Sequence, residues 1–172
     1  NMNTLDTHDT PRFKTFTLPG AQIIAAGVQF TFPGIPMIWA GDEFGLDGIN
    51  RENSRPPLPG NRERAHDSSM IDVYSKLAKM RRENIALTEG GLRFLYASDE
   101  AVVYVREHKK QSILVCVTRG RDSKIKLPRD AVANLAQAEN IYGGASIKAG
   151  NRFAKFAAES MAVNVWRLPQ SV

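Results

Sequence analysis

Residues 4–13, Thr4-Leu5-Asp6-Thr7-His8-Asp9-Thr10-Pro11-Arg12-Phe13, decide how this chain is read. An aspartate directly after a histidine, closed by Pro and Arg, has the form of an active-site loop leaving a strand. Working outward, residues 20–31 read as a helix opened by Leu18-Pro19, with Ile23, Ile24, Gly27 and Val28 on one apolar stripe. Residues 35–40 read as a strand that is apolar on both faces, as in a buried parallel sheet, with Pro33-Gly34 punctuating the connection. Residues 41–67 form a loop rich in Gly, Pro, Asn and charge, long enough that a functional role is expected. Ser69-Met70-Ile71-Asp72 reads as a capping box. It opens a helix to about Asn84 whose apolar face is Met70, Val73, Leu77 and Met80, widened by Ile71, Tyr74 and Ala78. Strand end, helix, strand, loop, helix is the rhythm of a parallel α/β fold. A closed eight-stranded α/β barrel takes roughly 250 residues. Residues 1–90 would therefore supply the incomplete C-terminal end of a (β/α)8 barrel, its last quarter at most, and the chain is expected to begin near the end of something larger.

The periodicity changes at Glu89-Gly90-Gly91, where the domain boundary is placed. Residues 92–96, 101–107 and 112–118 alternate with period two and are separated by the polar turns Ser98-Asp99-Glu100 and His108-Lys109-Lys110, which predicts an antiparallel meander. Further short strands are predicted at residues 124–127, 139–142, 152–156 and 161–168, with turns at Gly143-Gly144 and Gly150-Asn151. Residues 130–137 read either as loop or as one helical turn. The fold class is thus α/β followed by all-β, with residues 91–172 forming a small antiparallel β-sandwich.

Composition excludes several function classes. The chain is 42% hydrophobic and 24% charged, ordinary for a soluble globular protein. Its longest apolar run, residues 35–40, is far short of the roughly 20 residues that span a bilayer, so no membrane association is expected. The net charge of +5 is uneven: residues 1–90 carry 10 Lys/Arg against 11 Asp/Glu, and residues 91–172 carry 13 against 7. The basic residues are spread over alternating segments rather than clustered with aromatics, so solvated strand faces account for them and no nucleic-acid partner is expected. The lone Cys116 lies in an apolar run and reads as a buried, inert thiol. With no basic-then-apolar leader, cytoplasmic residence is the expectation. Neither a cofactor nor a metal is called for.

Asp9 is the foremost candidate for chemistry. A carboxylate at the end of a strand can accept hydrogen bonds from sugar hydroxyls that strengthen as an oxocarbenium-like transition state forms, and His8 can donate to the same ring. Alone, a His-Asp pair is a weak signal, and a loop pair satisfied by backbone groups is the better reading. Three blocks in order change the weighting. Leu5-Asp6-Thr7-His8-Asp9-Thr10-Pro11-Arg12-Phe13 resembles the fourth conserved region of the α-amylase family of glycoside hydrolases. Pro33-Gly34-Ile35-Pro36-Met37-Ile38-Trp39-Ala40-Gly41-Asp42-Glu43-Phe44-Gly45 resembles that family's eighth barrel strand and the start of the loop after it. Glu52-Asn53-Ser54-Arg55-Pro56-Pro57-Leu58-Pro59 resembles its acidic-x-x-Arg-x-Pro segment. The resemblance covers residues 1 to 85 or so, and the β-rich remainder suits the family's C-terminal sandwich without carrying a motif of its own.

This resemblance implies that Asp9 is the third carboxylate of the family's site, holding hydroxyls of the sugar at the cleavage point, and that His8 binds a hydroxyl beside it. Arg12, Asp42 and Glu43 match positions that order the loops at the top of the barrel. It implies a retaining glycosidase acting on α-glucosidic bonds of oligosaccharides or starch-derived glucans. That mechanism needs a nucleophilic carboxylate and a general acid about 5 Å apart, which the family carries on earlier strands. None of the other carboxylates here sits in a matching motif, so the chain is expected to be inactive alone, and exposed barrel edges would favour self-association. Gly60 stands where the family commonly has a Trp that stacks on a sugar or packs the loop. Trp39 and Trp166 are expected in the core. A different class of function, a non-catalytic carbohydrate-binding or interaction module, would need an exposed aromatic patch drawn from Phe94, Tyr96, Tyr104 and Phe153. A third reading is a remnant of a truncated gene or of proteolysis, with Met2 as an internal start.

Overall fold

The computed structural model describes residues 1–58, 67–120, 125–157 and 159–169. Strand β1 (Met2–Asn3) pairs in parallel with β2 (Ile35–Pro36), and helix α1 (Ala21–Thr31) crosses between them. Helices α2 (Ser68–Glu83) and α3 (Ile85–Glu89) follow. From Gly91 onward, the structure is antiparallel. β3 (Gly91–Ala97), β4 (Ala101–His108), β5 (Gln111–Thr118), β7 (Glu139–Tyr142) and β10 (Ala162–Leu168) form a five-stranded sheet in the order β3-β4-β5-β10-β7. β6 (Lys126–Pro128), β8 (Ile147–Ala149) and β9 (Phe153–Phe156) form a three-stranded sheet, with β9 central.

The larger sheet is the middle layer. Its helix-facing side carries Tyr104, Ile113, Val115, Val117, Val163 and Val165, which pack with Ala26, Phe30, Met70, Tyr74, Leu77, Met80, Ala86 and Leu87. Its other side carries Val103, Val105, Leu114, Cys116, Trp166 and Leu168, which pack with Ile125, Leu127, Ala154 and Phe156 of the smaller sheet. Because side chains alternate across a strand, burial of both faces explains the continuous apolar run Ile113-Leu114-Val115-Cys116-Val117. Burial pushes the Cys116 thiol up to about 12, so it is an inert core residue. Trp166 lies in the same core, edge-on to Phe156, as expected.

Helix α1 is set tightly against this sheet. A Cβ at Gly27 would lie 2.4 Å from Val163 Cγ2, so only glycine permits the approach. The helix buries more than the expected stripe: Ile23, Ile24 and Val28 are half-buried, whereas Ala26 and Phe30 are fully buried. Gln29 on its far side donates from Nε2 to Asn3 O and Met37 O, at 2.9 and 2.7 Å, joining the ends of both short strands.

Several local expectations need correction. The strand expected over residues 35–40 pairs only over Ile35–Pro36, and it is not buried on both faces: Ile35 and Ile38 are exposed. Ile35 N and Met37 N donate to Asn1 O and to Asn3 O of β1, Pro36 has no N–H to offer a strand on the side away from β1, and among the described residues β1 is the one strand partner. Trp39 is half-buried rather than in the core, and it packs against His8 and Arg12. α2 begins two residues earlier than the capping-box reading, capped by the Asp67 carboxylate rather than by Ser69, and that carboxylate accepts from Ser69 N at 3.1 Å. Ile71 and Ala78 face solvent. α3 and β8 were not expected from the sequence. Residues 135–137 form one 3-10 turn. Gly60 and Lys124 lie outside the described residues.

Candidate functional site

The segment after β1 folds as a tight turn across residues 7–10. Thr10 N donates to Thr7 O, Thr7 N donates to Thr10 Oγ1 at 2.8 Å, and Asp9 N donates to Thr7 Oγ1 at 3.2 Å. Threonines that bond back to the backbone are what favour a turn over a continued strand. His8 and Asp9 occupy the turn's tip with both side chains more than half exposed. His8 Nε2 lies 3.1 Å from Asp9 Oδ2.

Two residues from other loops hold this tip. Arg55 donates from Nε to His8 O at 2.9 Å and places a terminal nitrogen 3.6 Å from Asp9 Oδ1. Trp39 sets its ring 5.7 Å from the His8 ring, tilted by 46°. A hydroxyl-rich ligand at the tip would thus meet an acceptor carboxylate, an imidazole, a guanidinium and an indole.

Beneath the tip lies a buried charge cluster. Arg12, 2% exposed, donates from Nε to Ser54 O at 3.1 Å, from one terminal nitrogen to Asp42 Oδ1 at 3.0 Å, and from the other to Ala40 O at 2.7 Å. Its Cζ sits 5.7 Å from the centre of the Trp39 ring. Asp6 Oδ1 lies 3.8 Å from the guanidinium, while Asp6 Oδ2 accepts from Phe13 N at 2.8 Å. One arginine therefore ties together the loop after β1, the loop after β2 and residue 54. Burial, and next the neighbouring Asp6 carboxyl, push Asp42 up to about 7 against the opposing pull of Arg12. Glu43 accepts from Gly41 N at 2.8 Å and braces the 3-10 turn Asp42–Phe44. Gln22 of α1 donates to Asp42 O at 2.9 Å.

The structure thus brings His8 and Asp9 together at a solvent-facing tip, and Arg12 and Asp42 together below it, with Glu43 bracing the same loop locally. Arg55 and Asp6 are additions that sequence reasoning did not assign. Arg55 lies in one of the quoted motif blocks, but nothing local in its sequence says that its loop returns to residue 8. Asp6 sits two residues before His8, so a strand-like alternation would place it on the same side as His8, whereas the turn at Thr7 sends it inward. Among the described residues, no group of three His, Cys, Asp or Glu side chains is placed to hold a metal ion, and no helix is long and apolar enough to cross a membrane.

The same arrangement of elements recurs in solved structures. An Anoxybacillus α-amylase superposes with a TM-score of 0.85 at 20% identity, covering 99% of this chain and 38% of that one. The fold is that of the C-terminal part of an α-amylase-family enzyme. A Geobacillus thermoleovorans α-amylase, solved in complex with acarbose, shares this α-amylase fold with a TM-score of 0.83 at 22% identity, over 99% of this chain and 39% of that one. A cyclomaltodextrinase matches with a TM-score of 0.78 at 26% identity, over 96% of this chain and 29% of that one. The chain spans well under half the length of each of these α-amylase-fold proteins. No protein-family model matches the sequence, and no curated protein matches it.

Proposed function

We propose that this chain is the C-terminal piece of a retaining glycosidase that cleaves α-glucosidic bonds of oligosaccharides or starch-derived glucans. Asp9 is the carboxylate that holds sugar hydroxyls in the transition state, and His8 is its hydroxyl-binding neighbour. The observation that carries this reading is the His8-Asp9 tip itself. It is solvent-facing, clamped by Arg55 and flanked by Trp39, and it stands on a buried network that spends an arginine and two aspartates on holding loops rather than on packing. In that reading β1, α1, β2 and α2 are the last two β/α units of a barrel, and Arg12, Asp42 and Glu43 order the loops at its top. Met2 and Ile35, 68% and 67% exposed, are apolar side chains on the two short parallel strands that further barrel strands would cover. For the chain on its own, self-association through that edge is the expected consequence.

Retention of configuration requires a nucleophile and an acid about 5 Å apart, and among the described residues the charged partners of Asp9 are His8 and Arg55 rather than a second carboxylate. The neighbouring Asp6 is turned inward to Phe13 N and Arg12. The chain assayed alone on maltotetraose is therefore expected to release no reducing sugar above a protein-free blank. Turnover abolished by Asp9→Asn would overturn the assignment of an incomplete site.

The binding-module reading receives less support from side-chain placement. Tyr104 is fully buried, Phe94 is exposed but sits against Phe32 and Tyr104 on the helix side, and Tyr96 packs into the opposite core. A bulge in β3 between Phe94 and Tyr96 breaks the alternation that would have put both on one face. Phe153 is exposed, but it belongs to the smaller sheet. The four aromatics therefore do not form a shared platform.

A further inference from the structure

The buried pair beneath the tip has a charge count that does not balance. Asp6, Asp42 and Arg12 are 4%, 2% and 2% exposed, so two carboxyl groups share a single guanidinium out of contact with bulk water. Each carboxyl has one oxygen with a donor: Asp6 Oδ2 takes Phe13 N, and Asp42 Oδ1 takes Arg12. The remaining oxygens, Asp6 Oδ1 and Asp42 Oδ2, are buried acceptors without a donor among the described residues, and the two carboxyls flank the same terminal nitrogen of Arg12, at 3.8 and 3.0 Å. Two ionised carboxylates in that position would repel each other and leave a net negative charge buried. A single hydrogen between them satisfies both orphan oxygens and leaves one negative charge facing one positive charge.

We propose that Asp6 and Asp42 share one proton, held between Asp6 Oδ1 and Asp42 Oδ2, and that this makes Asp6 a positioning residue: the shared proton locks the loop carrying His8-Asp9 to the loop after β2, and its loss loosens that lock. The lock does not depend on which ligand the tip binds. The groups that face the pair are few. Arg12 pulls toward ionisation. From the other elements packed against it come Glu43, the Tyr74 hydroxyl of α2 and the Gln22 amide of α1. The Tyr74 phenol, itself pushed far up by burial and by Asp42, stays neutral and adds no charge.

The sign of the pH dependence follows from the raised carboxyl. Unfolded, Asp42 ionises near the ordinary value of 3.8; folded, it holds its proton up to about 7. The contribution is full below the unfolded value, declines as pH rises between the two, and is gone above the folded one. The test is a 13C NMR titration of the chain labelled at aspartate Cγ, from pH 3 to 9, alongside thermal unfolding over the same range. The expected result is an Asp42 carboxyl signal moving near pH 7, and an unfolding midpoint that falls from pH 4 to 7 and then levels. Asp6→Asn keeps the shape, removes the neighbouring carboxyl and supplies an amide N–H to Asp42 Oδ2, so it should lower the pH at which Asp42 ionises and make that slope shallower, burial alone still holding Asp42 above its ordinary value. An Asp42 carboxyl titrating near its ordinary 3.8 in the unaltered chain would overturn the proposal, whether or not the variant folds. So would a slope unchanged in Asp6→Asn.

Discussion

Arg106→Met is expected to destabilise the chain by about 3–5 kcal/mol, the cost of removing one partner from a buried, hydrogen-bonded charge network. Arg106 rises from β4 on the helix-facing side of the middle sheet and is fully buried. Its guanidinium donates to four carbonyls: Thr31 O at the end of α1, Leu87 O and Gly90 O at the end of α3, and Gly91 O at the start of β3. Among the described residues no carboxylate is within ion-pair distance, so the charge is balanced by the negative ends of two helix dipoles. Burial, with Arg81 next, pulls Arg106 down to about 10, which leaves it charged at neutral pH. Methionine would fill most of the volume but supply none of the donors, leaving several buried carbonyls unsatisfied at once. Chemical denaturation should show the midpoint drop, and a shift in thermal midpoint on the order of 10 °C should accompany it. A variant within about 1 kcal/mol of the parent would mean that these carbonyls find other donors cheaply. Arg81 makes the same kind of contacts, donating to Phe30, Phe32 and Gly34 carbonyls. Two guanidinium groups thus gather the C-terminal end of α1.

Arg12→Ala is expected to be as costly in energy, about 3–5 kcal/mol where the buried pair is broken, but its effect should be local. Three loop segments converge on this one side chain, and its removal leaves Asp6 and Asp42 with no cation and the Ala40 and Ser54 carbonyls with no guanidinium donor. No residue of the five-stranded sheet touches it in the contacts described above. Amide hydrogen exchange should therefore accelerate by several orders of magnitude at Arg12 and Phe13, and at Asp42 and Leu46, while β4, β5 and β10 keep their protection. Uniform acceleration across the sheet would show that the loops and the sheet unfold as one unit. Unchanged exchange at Phe13 would show that the network contributes little.

The periodic part of this fold was legible in the sequence because its physics is periodic. Ile113 to Val117 is apolar on both faces, and Val163 and Val165 lie on one side with Trp166 and Leu168 on the other, since both faces of the middle sheet are covered, and the turn residues between strands fall where the chain reverses. What was not legible depends on partners distant in sequence. Nothing in residues 35–40 states that only two of them find a strand partner, and an apolar run reads the same whether it is buried or left at an edge. Trp39 reads as core by composition, yet it lies between His8 and Arg12 because the chain leaves the strand after Pro36. Arg81 and Arg106 look like solvated helix and strand charges until the carbonyls of α1 and α3 are brought to them. At the site, His8 and Asp9 were legible from their motif. Arg55 and Asp6 were not, since their positions are fixed by a loop that returns from 47 residues away and by a turn that reverses the expected side of a strand.

The account rests on Asp9 acting as the transition-state carboxylate of an α-glucan site whose other two carboxylates lie outside this chain. The most direct measurement is kcat/KM on maltooligosaccharides for the longer enzyme proposed above, with and without Asp9→Asn. The account predicts measurable hydrolysis or glycosyl transfer by the unaltered enzyme and a loss of about 100- to 1,000-fold in the variant, the worth of hydrogen bonds to the sugar that strengthen in the transition state. An enzyme inactive on α-glucans, or a variant within about threefold of the parent, a difference of less than roughly 0.7 kcal/mol in barrier, would contradict it.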